Sequence, residues 1–253
     1  MNGFNLVIPI AGPDKDTANT GYIKSLQEIQ RKTVLQYAFE SLQPINATNF
    51  VVVIKRTDVN RYHLDNVVKL LRPEAKVVVA EGETMGAACT CMLAVDQLDM
   101  DAPLLITGVD QLLTVPTDRI VRDFIERGLD GGVVIFDDIH PRWSFVKLNE
   151  KDLVIEAAEK RPISRNATAG FYYFKKTSDF FEAAKGMISK NASVNGSFYV
   201  CPVFNEMILQ QLSIGTFRIK KEQYYSFSHE SGIEAYKAYL RNQKGGGYRC
   251  EDG

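Results

Sequence analysis

The sequence lacks an excess of charge of either sign, and it lacks a long apolar run. Its 253 residues include 30 Lys and Arg against 31 Asp and Glu, so the formal net charge is −1. A nucleic-acid binder normally carries a visible basic excess, and a membrane span needs roughly 18 consecutive apolar residues. We therefore expect no nucleic-acid partner and no membrane association. The 45% hydrophobic content is ordinary and indicates a globular protein with its own core.

Cysteine, histidine and several well-known motifs are also scarce or missing. The four cysteines form no C-x-x-C pair, and the three histidines are too far apart for a metal-ligand spacing. Neither a G-x-S-x-G nor a Walker A sequence is present, which disfavours nucleophile-elbow and P-loop mechanisms. The N-terminus has no basic, apolar leader. We therefore expect a protein of the reducing cytoplasm.

Short apolar runs alternate with helical patterns in the first half of the chain. Runs rich in Val and Ile are followed by segments whose apolar residues recur at helical spacing. The runs cover residues 4–10, 50–54, 76–79, 103–107 and 132–136, and the helical segments cover 34–42, 59–71, 87–98 and 120–125. This alternation predicts crossover connections, and therefore the α/β class with a Rossmann-like, doubly wound, mostly parallel mixed sheet.

The second half of the chain is less regular. Three β-like runs follow closely at 144–148, 153–157 and 169–174, a spacing that favours antiparallel pairs. Helices are predicted over 178–189 and 203–211. No linker rich in Pro or Ser divides the chain. We therefore predict one domain over residues 1–242, made of the halves 1–136 and 137–242, and a flexible polar tail over 243–253.

Two loops at predicted strand ends could bind a nucleotide, because ligands of a doubly wound sheet bind outside the carboxyl ends of its strands. The loop 11–21 follows the first strand, and its glycine with Lys15 or Lys24 would suit a phosphate. An ordinary surface loop is the alternative. In the segment 81–88, small residues would let a flat ring lie on the backbone while Glu81 accepts hydrogen bonds from a base edge. A helix start packed on the sheet is the alternative there.

Two acidic positions follow later strands. Asp110 comes soon after the run 103–107, and a carboxylate at a strand tip suits Mg²⁺, which prefers oxygen ligands. An Asp that caps the next turn is the alternative. Glu159 and Lys160 follow the run 153–157, so that the carboxylate could take sugar hydroxyls while the ammonium group neutralises a phosphate. A solvated turn is the alternative for this pair.

Taken in order, these segments resemble the sugar-phosphate nucleotidyltransferases, the pyrophosphorylases that join an NTP to a phosphorylated substrate. The likeness covers about residues 5–219. Residues 6–12 resemble the opening strand and nucleotide loop, 21–26 the Pro-Lys-Pro-Leu segment, and 105–110 the strand that ends in the metal-binding Asp. Four later segments of the family are matched by 143–148, 159–162, 167–174 and 194–200.

The resemblance implies the GT-A-like nucleotidyltransferase fold, with residues 1–136 as the nucleotide-binding half and 137–242 as the acceptor-binding half. It implies transfer of a nucleotide to a sugar phosphate or another small phosphate with release of pyrophosphate, for surface-polysaccharide precursor synthesis. The catalytic residues would be Lys24, Lys15 and Asp110. The nucleotide would be bound by Ala11, Gly12, Glu81, Gly86 and Ala87. The phosphorylated substrate would be bound by Glu159, Lys160, Gly170 and Asn195. The cofactor Mg²⁺ would be held by Asp110 and Glu230.

Two departures from the family pattern keep alternatives open. An Asp stands at 16, where the family's nucleotide loop carries Arg, so that Asp14 and Asp16 flank Lys15 and oppose a triphosphate by like charge. The family's C-terminal metal-binding Asp has only Glu230 as a displaced counterpart. The alternatives are a catalytically inactive nucleotide-binding or nucleotide-sugar-binding homologue and, less favoured, a glycosyltransferase, which would need D-x-D where residues 109–111 read Val-Asp-Gln.

The nucleobase and the acceptor stay open at the level of sequence, with CTP as one donor to consider. A homo-oligomer also stays open, because Phe180 and Phe181 need burial in the core or against a partner.

Overall fold

The computed structural model describes residues 3–11 and 23–245 of the chain. A nine-stranded mixed sheet lies at its centre. Its strands are β1 (Phe4–Pro9), β4 (Ala47–Lys55), β5 (Lys76–Ala80), β6 (Leu104–Thr107), β8 (Gly131–Asp137), β9 (Ser144–Leu148), β10 (Val154–Glu159), β11 (Asn166–Phe174) and β12 (Ile214–Arg218). Two small sheets pair β2 (Glu28–Ile29) with β3 (Lys32–Thr33), and β7 (Gln111–Leu113) with β13 (Tyr224–Ser226).

The strand order of the main sheet is β10-β9-β11-β6-β1-β4-β5, with β8 also paired to β11 and β12 paired to β8. The pairs β1–β4, β1–β6, β4–β5 and β8–β12 are parallel, whereas β11 is antiparallel to β6, β8 and β9, and β10 is antiparallel to β9. It follows that β10 and β11 run in one direction and the other seven strands of the nine in the opposite one. The predicted mostly parallel mixed sheet is confirmed, and so are the antiparallel pairs of the second half.

Helices cover both faces of this sheet. They are α1 (Val34–Ser41), α2 (Arg56–Tyr62), α3 (Leu64–Leu71), α4 (Ala87–Met92), α5 (Thr117–Glu126), α6 (Thr177–Ser189), α7 (Val203–Leu209) and α8 (Glu230–Gly245). Successive side chains of β1 alternate between two cores: Leu6 and Ile8 pack with α1, α3 and α5, while Val7 packs with α4, α6 and α7. Burial on both faces is the reason that the central strands are uninterrupted apolar runs.

Several elements differ from the predictions. The predicted helix over 59–71 is two helices, because His63 adopts a left-handed conformation with a φ of 50°. Amphipathic spacing continues on both sides of His63, so the hydrophobic pattern does not reveal the break. The predicted helix over 87–98 ends at Met92 and is followed by a 3₁₀ turn at Val95–Gln97.

The C-terminal region contains more structure than the sequence indicated. The strands β12 and β13 and the helix α8 were not predicted, and α8 extends to Gly245, into the segment that we expected to be a tail. Residues 246–253 of that predicted tail lie outside the described residues. The helix α8 is held by a third, small core, in which Tyr236 packs edge-on against Tyr37 of α1, with ring centroids 5.2 Å apart.

The two phenylalanines that needed burial find it within the chain. Phe180 is fully buried, and Phe181 is 5% exposed. The Phe180 ring packs on Phe174 with centroids 5.0 Å apart. These residues therefore need no partner, and a homo-oligomer stays a prediction without their support. Among the described residues, no helix is long and apolar enough to cross a membrane.

Candidate active site

A cleft of about 330 Å³ opens at the carboxyl ends of β1 and β6, next to Pro9 and Thr107. The chain passes from β1 to β4 and β5 on one side and then returns to β6 on the other, so the cleft lies at the topological switch point of the sheet. Four of the predicted site residues line it: Ala87, Asp110, Glu159 and Gly170. They come from four separate segments, which the fold brings to one edge of the sheet.

Asp110 is joined to Lys24 through Ser228. The Ser228 hydroxyl donates to Asp110 Oδ2 at 2.6 Å, and Lys24 Nζ donates to the Ser228 carbonyl at 3.0 Å. The backbone N–H of Phe227 donates to the Asp110 carbonyl at 2.7 Å. The segment that follows β13 thus positions both the predicted metal-binding carboxylate and the predicted phosphate-binding lysine.

The surroundings of Asp110 suit a cation that needs few protein ligands. Its carboxylate is exposed to the cleft, and Ser228 engages only Oδ2. Within residues 3–11 and 23–243, no group of three His, Cys, Asp or Glu side chains could hold a metal ion. Mg²⁺ is commonly held by one or two carboxylates together with substrate phosphates and water, and Asp110 fits that role. Glu230 lines a neighbouring cavity of about 610 Å³, together with Lys24.

Glu159 and Lys160, at the end of β10, place their side chains in different surroundings. Glu159 is buried in the cleft, where the Ser144 hydroxyl donates to its Oε2. Burial raises the pKa of Glu159, against the opposing effects of that hydrogen bond and of the Lys160 charge. Lys160 has a φ of 53° and lies outside the cleft lining, and its Nζ donates to the Tyr199 hydroxyl at 3.0 Å. That hydrogen bond raises the pKa of Lys160.

Gly170 lies at an irregularity in the pairing of β11 with β8 and has a φ of 66°. Its carbonyl accepts a hydrogen bond from Gln111 Nε2 at 2.6 Å, and the same nitrogen donates to Thr107 Oγ1 at 3.0 Å. A Cβ at 170 would lie 2.7 Å from Gln111 Cδ. Only glycine suits both the backbone conformation and the space here, so Gly170 contributes its backbone to the cleft.

The predicted base-binding segment is divided by the fold. Glu81 lies outside the cleft and is exposed, and its carboxylate accepts hydrogen bonds from Arg56 at 2.7 and 3.2 Å. The hydrogen bonds from Arg56 lower the pKa of Glu81. A base edge that binds at Glu81 would have to share its carboxylate with Arg56.

Gly86 packs on the backbone of another segment, while Ala87 lines the cleft. Gly86 has a φ of 105°, and a Cβ there would lie 2.7 Å from the Phe198 nitrogen. Phe198 is held on both sides: its N–H donates to the Met85 carbonyl at 2.7 Å, and its own carbonyl accepts from Ala88 at 3.0 Å. Gly86 therefore serves the close approach of these two segments.

The remaining predicted residues lie apart from the cleft or outside the described residues. Ala11 is fully buried. Asn195 and Gly196 both have positive φ values, 51° and 74°, and form the exposed tip of a two-residue hairpin between Val194 and Ser197. Asn-Gly is the preferred sequence of that turn, and this signal was readable from the sequence. Gly12 and Lys15, with Asp14 and Asp16, lie outside the described residues.

The cleft also contains residues that the sequence did not single out, above all Arg142 and Trp143. The Arg142 guanidinium lies 4.3 Å from the centroid of the Trp143 ring. Trp143 Nε1 in turn donates to Asp138 Oδ2 at 3.1 Å, and Lys221 forms an ion pair with the same carboxylate. Trp143 is the only Trp of the chain and begins one of the matched segments, which was the available signal.

Asp138 holds this arrangement together, although it lies outside the cleft. Burial alone would raise the pKa of the Asp138 carboxyl, but hydrogen bonds from Lys221, His140 and Trp143 outweigh burial and lower the pKa to about 2. The carboxylate therefore stays ionised at neutral pH and fixes the plane of the Trp143 ring.

No protein-family model matches this chain, and no curated protein matches its sequence. Solved structures do match its fold. A nucleoside-diphosphate-sugar pyrophosphorylase from Vibrio cholerae RC9 matches with a TM-score of 0.77 and 23% identity, over 93% of this chain and 99% of that chain. An inositol-1-phosphate CTP transferase from T. maritima matches with a TM-score of 0.73 and 14% identity, over 98% and 99%.

A UDP-glucose pyrophosphorylase in complex with UDP-glucose matches with a TM-score of 0.71 and 17% identity, over 96% of this chain and 100% of that chain. Likeness at these identities concerns the fold, and each match spans nearly the whole of both chains. The chain therefore has the nucleotidyltransferase fold that its sequence segments resemble.

Proposed function

We propose that the protein is a nucleotidyltransferase that joins a nucleotide from an NTP to a small phosphorylated acceptor and releases pyrophosphate. The observation that carries this proposal is the convergence of Ala87, Asp110, Glu159 and Gly170 on one cleft at the switch point of the sheet. Concave sites of this size, at this place in an α/β sheet, typically bind small molecules. The names of the solved structures with this fold, which describe pyrophosphorylases and a CTP transferase, support the same reaction class.

In the proposed reaction, a phosphate oxygen of the acceptor attacks the α-phosphorus of the NTP. The bond from that phosphorus to the oxygen bridging the α- and β-phosphates breaks, and pyrophosphate leaves with the electron pair. Such a reaction needs positioning and charge stabilisation rather than a covalent intermediate on the protein. Bound Mg²⁺ would neutralise phosphate charge.

Two residues of the cleft, Asp110 and Glu159, and Lys24 of the neighbouring cavity have roles in this proposal. Asp110 would hold Mg²⁺ through the oxygen that Ser228 leaves open. The Lys24 ammonium group, anchored on the Ser228 carbonyl, would contact the NTP phosphates. Because Ser144 occupies Oε2 of Glu159, Oε1 is the atom that would accept a hydrogen bond from an acceptor hydroxyl.

We further propose that the product serves surface-polysaccharide precursor synthesis, where sugars are activated as nucleotide derivatives. A reaction that consumes an NTP would take place in the cytoplasm. The family resemblance of the sequence supports the first statement, and the cysteine pattern supports the second. A homo-oligomer remains a prediction.

The test is pyrophosphate release with Mg²⁺ across the four common NTPs and a panel of sugar phosphates and other small phosphates. For an active pair, Asp110→Asn should lower kcat/KM at least about 100-fold, because the variant loses the ligand for the ion that neutralises the phosphates. Asp118→Asn is the matched control, since Asp118 lies on α5 and pairs with Arg122. It should stay within about twofold of the wild type. Absence of pyrophosphate from a folded sample in every combination would contradict the proposal.

One sequence observation favours a second candidate, a homologue that binds a nucleotide without turnover. Asp14 and Asp16 stand in the loop that the family keeps basic. Calorimetry that detects NTP or nucleotide-sugar binding, with no pyrophosphate release, would favour this candidate. Turnover that is lost in Asp110→Asn would exclude it.

A further inference from the structure

A side groove of about 360 Å³ continues from the cleft. The groove and the cleft share Arg142, Trp143, Tyr224 and Ser226, so the two cavities adjoin along these residues. The first turn of α8 forms part of the remaining wall of the groove. The Arg142 side chain therefore borders both cavities.

Arg142 brings a positive charge to this junction, and among the described residues it forms no ion pair. Of the other basic side chains that line the groove, Lys221 is paired with Asp138, and His229 precedes α8. Glu222 also lines the groove, but it is exposed to solvent, where screening weakens its effect.

The Arg142 guanidinium lies against a ring that the fold holds in place. It stacks on the Trp143 ring at 4.3 Å. That ring is itself fixed by its hydrogen bond to Asp138 and by edge contacts with Phe136 and Tyr224, both with centroids 5.5 Å apart. A stacked guanidinium keeps its N–H edge available, and that edge matches a carboxylate or phosphate with two hydrogen bonds.

We propose that the acceptor carries a second anionic group, a carboxylate or a phosphate, which binds Arg142 while the reacting phosphate lies at Asp110. This inference rests on the proposed function and names the acceptor's chemical class. Glu159 lines the same cleft, and its Oε1 is suited to accept a hydrogen bond from a hydroxyl of the acceptor. The class is therefore a phosphorylated hydroxy acid or sugar acid, or a bisphosphate of similar size.

The test measures binding by calorimetry on the full chain, with two pairs of compounds that differ in the second charge. The pairs are glucuronate 1-phosphate with glucose 1-phosphate, and 3-phosphoglycerate with glycerol 3-phosphate. In at least one pair, the member with the additional carboxylate should bind about 10- to 100-fold more tightly than the other. This is the range expected for hydrogen bonds between charged groups. Arg142→Gln should remove most of this preference, and Arg142→Lys should keep part of it. Arg122→Gln, on the exposed face of α5, is the control and should leave the preference intact.

Three outcomes would overturn the inference: equal affinity within both pairs, no binding of either glucuronate 1-phosphate or 3-phosphoglycerate, or a preference that survives Arg142→Gln. Thermal unfolding of Arg142→Gln and Arg142→Lys shows whether both variants are folded. The inference and the proposed function fail separately. Binding that depends on Arg142, without any pyrophosphate release, contradicts only the proposed function. Nucleotidyl transfer with no preference for a second anionic group contradicts only the inference.

Discussion

Gly170→Ala is expected to destabilise the protein through a specific collision in the cleft. A Cβ at this position would lie 2.7 Å from Gln111 Cδ, on a backbone with a φ of 66°. The Gln111 side chain would have to move away. It would then lose its hydrogen bonds to the Gly170 carbonyl, at 2.6 Å, and to Thr107 Oγ1, at 3.0 Å.

The size of the effect follows from a comparison with Gly128. Gly128 has the same φ of 66°, and nothing lies within 4 Å of a Cβ placed there. Gly128→Ala therefore measures the cost of the left-handed backbone alone, about 1 kcal/mol. Gly170→Ala adds the loss of two hydrogen bonds at about 1 kcal/mol each, so the free energy of unfolding should fall by about 3 kcal/mol.

The assay is urea unfolding followed by the fluorescence of Trp143, the only Trp in the chain. A double-mutant cycle with Gln111→Ala isolates the collision. Once Gln111 is truncated, Gly170→Ala should cost only about 1 kcal/mol, as Gly128→Ala does. A Gly170→Ala cost equal to that of Gly128→Ala in the wild-type background would refute the reasoning, and so would an unchanged cost of about 3 kcal/mol in the Gln111→Ala background.

Two further predictions concern pH. Burial raises the pKa of Glu159, so the folded protein holds that proton more tightly than the unfolded chain, and the contribution of Glu159 to the free energy of unfolding falls as the pH rises above about 4. Glu159→Gln should therefore have a higher Tm than the wild type at pH 8 and a similar Tm at pH 4. The exposed control Glu150→Gln should match the Tm of the wild type at both pH values. Parallel profiles of Tm against pH for Glu159→Gln and the wild type would contradict this prediction. The contribution of Asp138 to stability changes with pH in the opposite direction. Hydrogen bonds from Lys221, His140 and Trp143 outweigh burial and lower the pKa of Asp138 from 3.8 to about 2. Its contribution is present above about pH 4 and lost towards pH 2, so Asp138→Asn should lower the free energy of unfolding by about 2 kcal/mol at pH 7 and by clearly less at pH 3, in urea titrations. A constant difference at both pH values would argue against this assignment.

The strand ends explain why part of the site could be predicted. The run that forms β6 ends at Thr107, and Asp110 follows it closely, while Glu159 is the last residue of β10. An apolar run is visible in sequence because both faces of the central strands are buried. Since parallel strands present their carboxyl ends at one edge, a polar residue just after such a run is predictably near the others.

Other predicted site residues have backbone roles that the sequence does not distinguish from substrate contacts. Gly86 and the Asn195-Gly196 turn satisfy backbone requirements, namely the close approach of Phe198 and a hairpin with two positive φ values. A substrate contact and a tight turn use the same residue types, so the sequence does not separate them. Their predicted roles stay predictions, and so does the role of Glu81, which is paired with Arg56.

The sequence by itself determined the class and order of the central elements, because burial on two faces of a strand or one face of a helix leaves a periodic trace. Only the tertiary structure decided which side chains complete the site. Ser228 contacts Asp110 across 118 positions of sequence, and Arg142 gains its place by stacking on a ring that Asp138 and Lys221 hold. Such contacts depend on how distant segments pack, so the hydrophobic periodicity and the composition of each segment do not predict them.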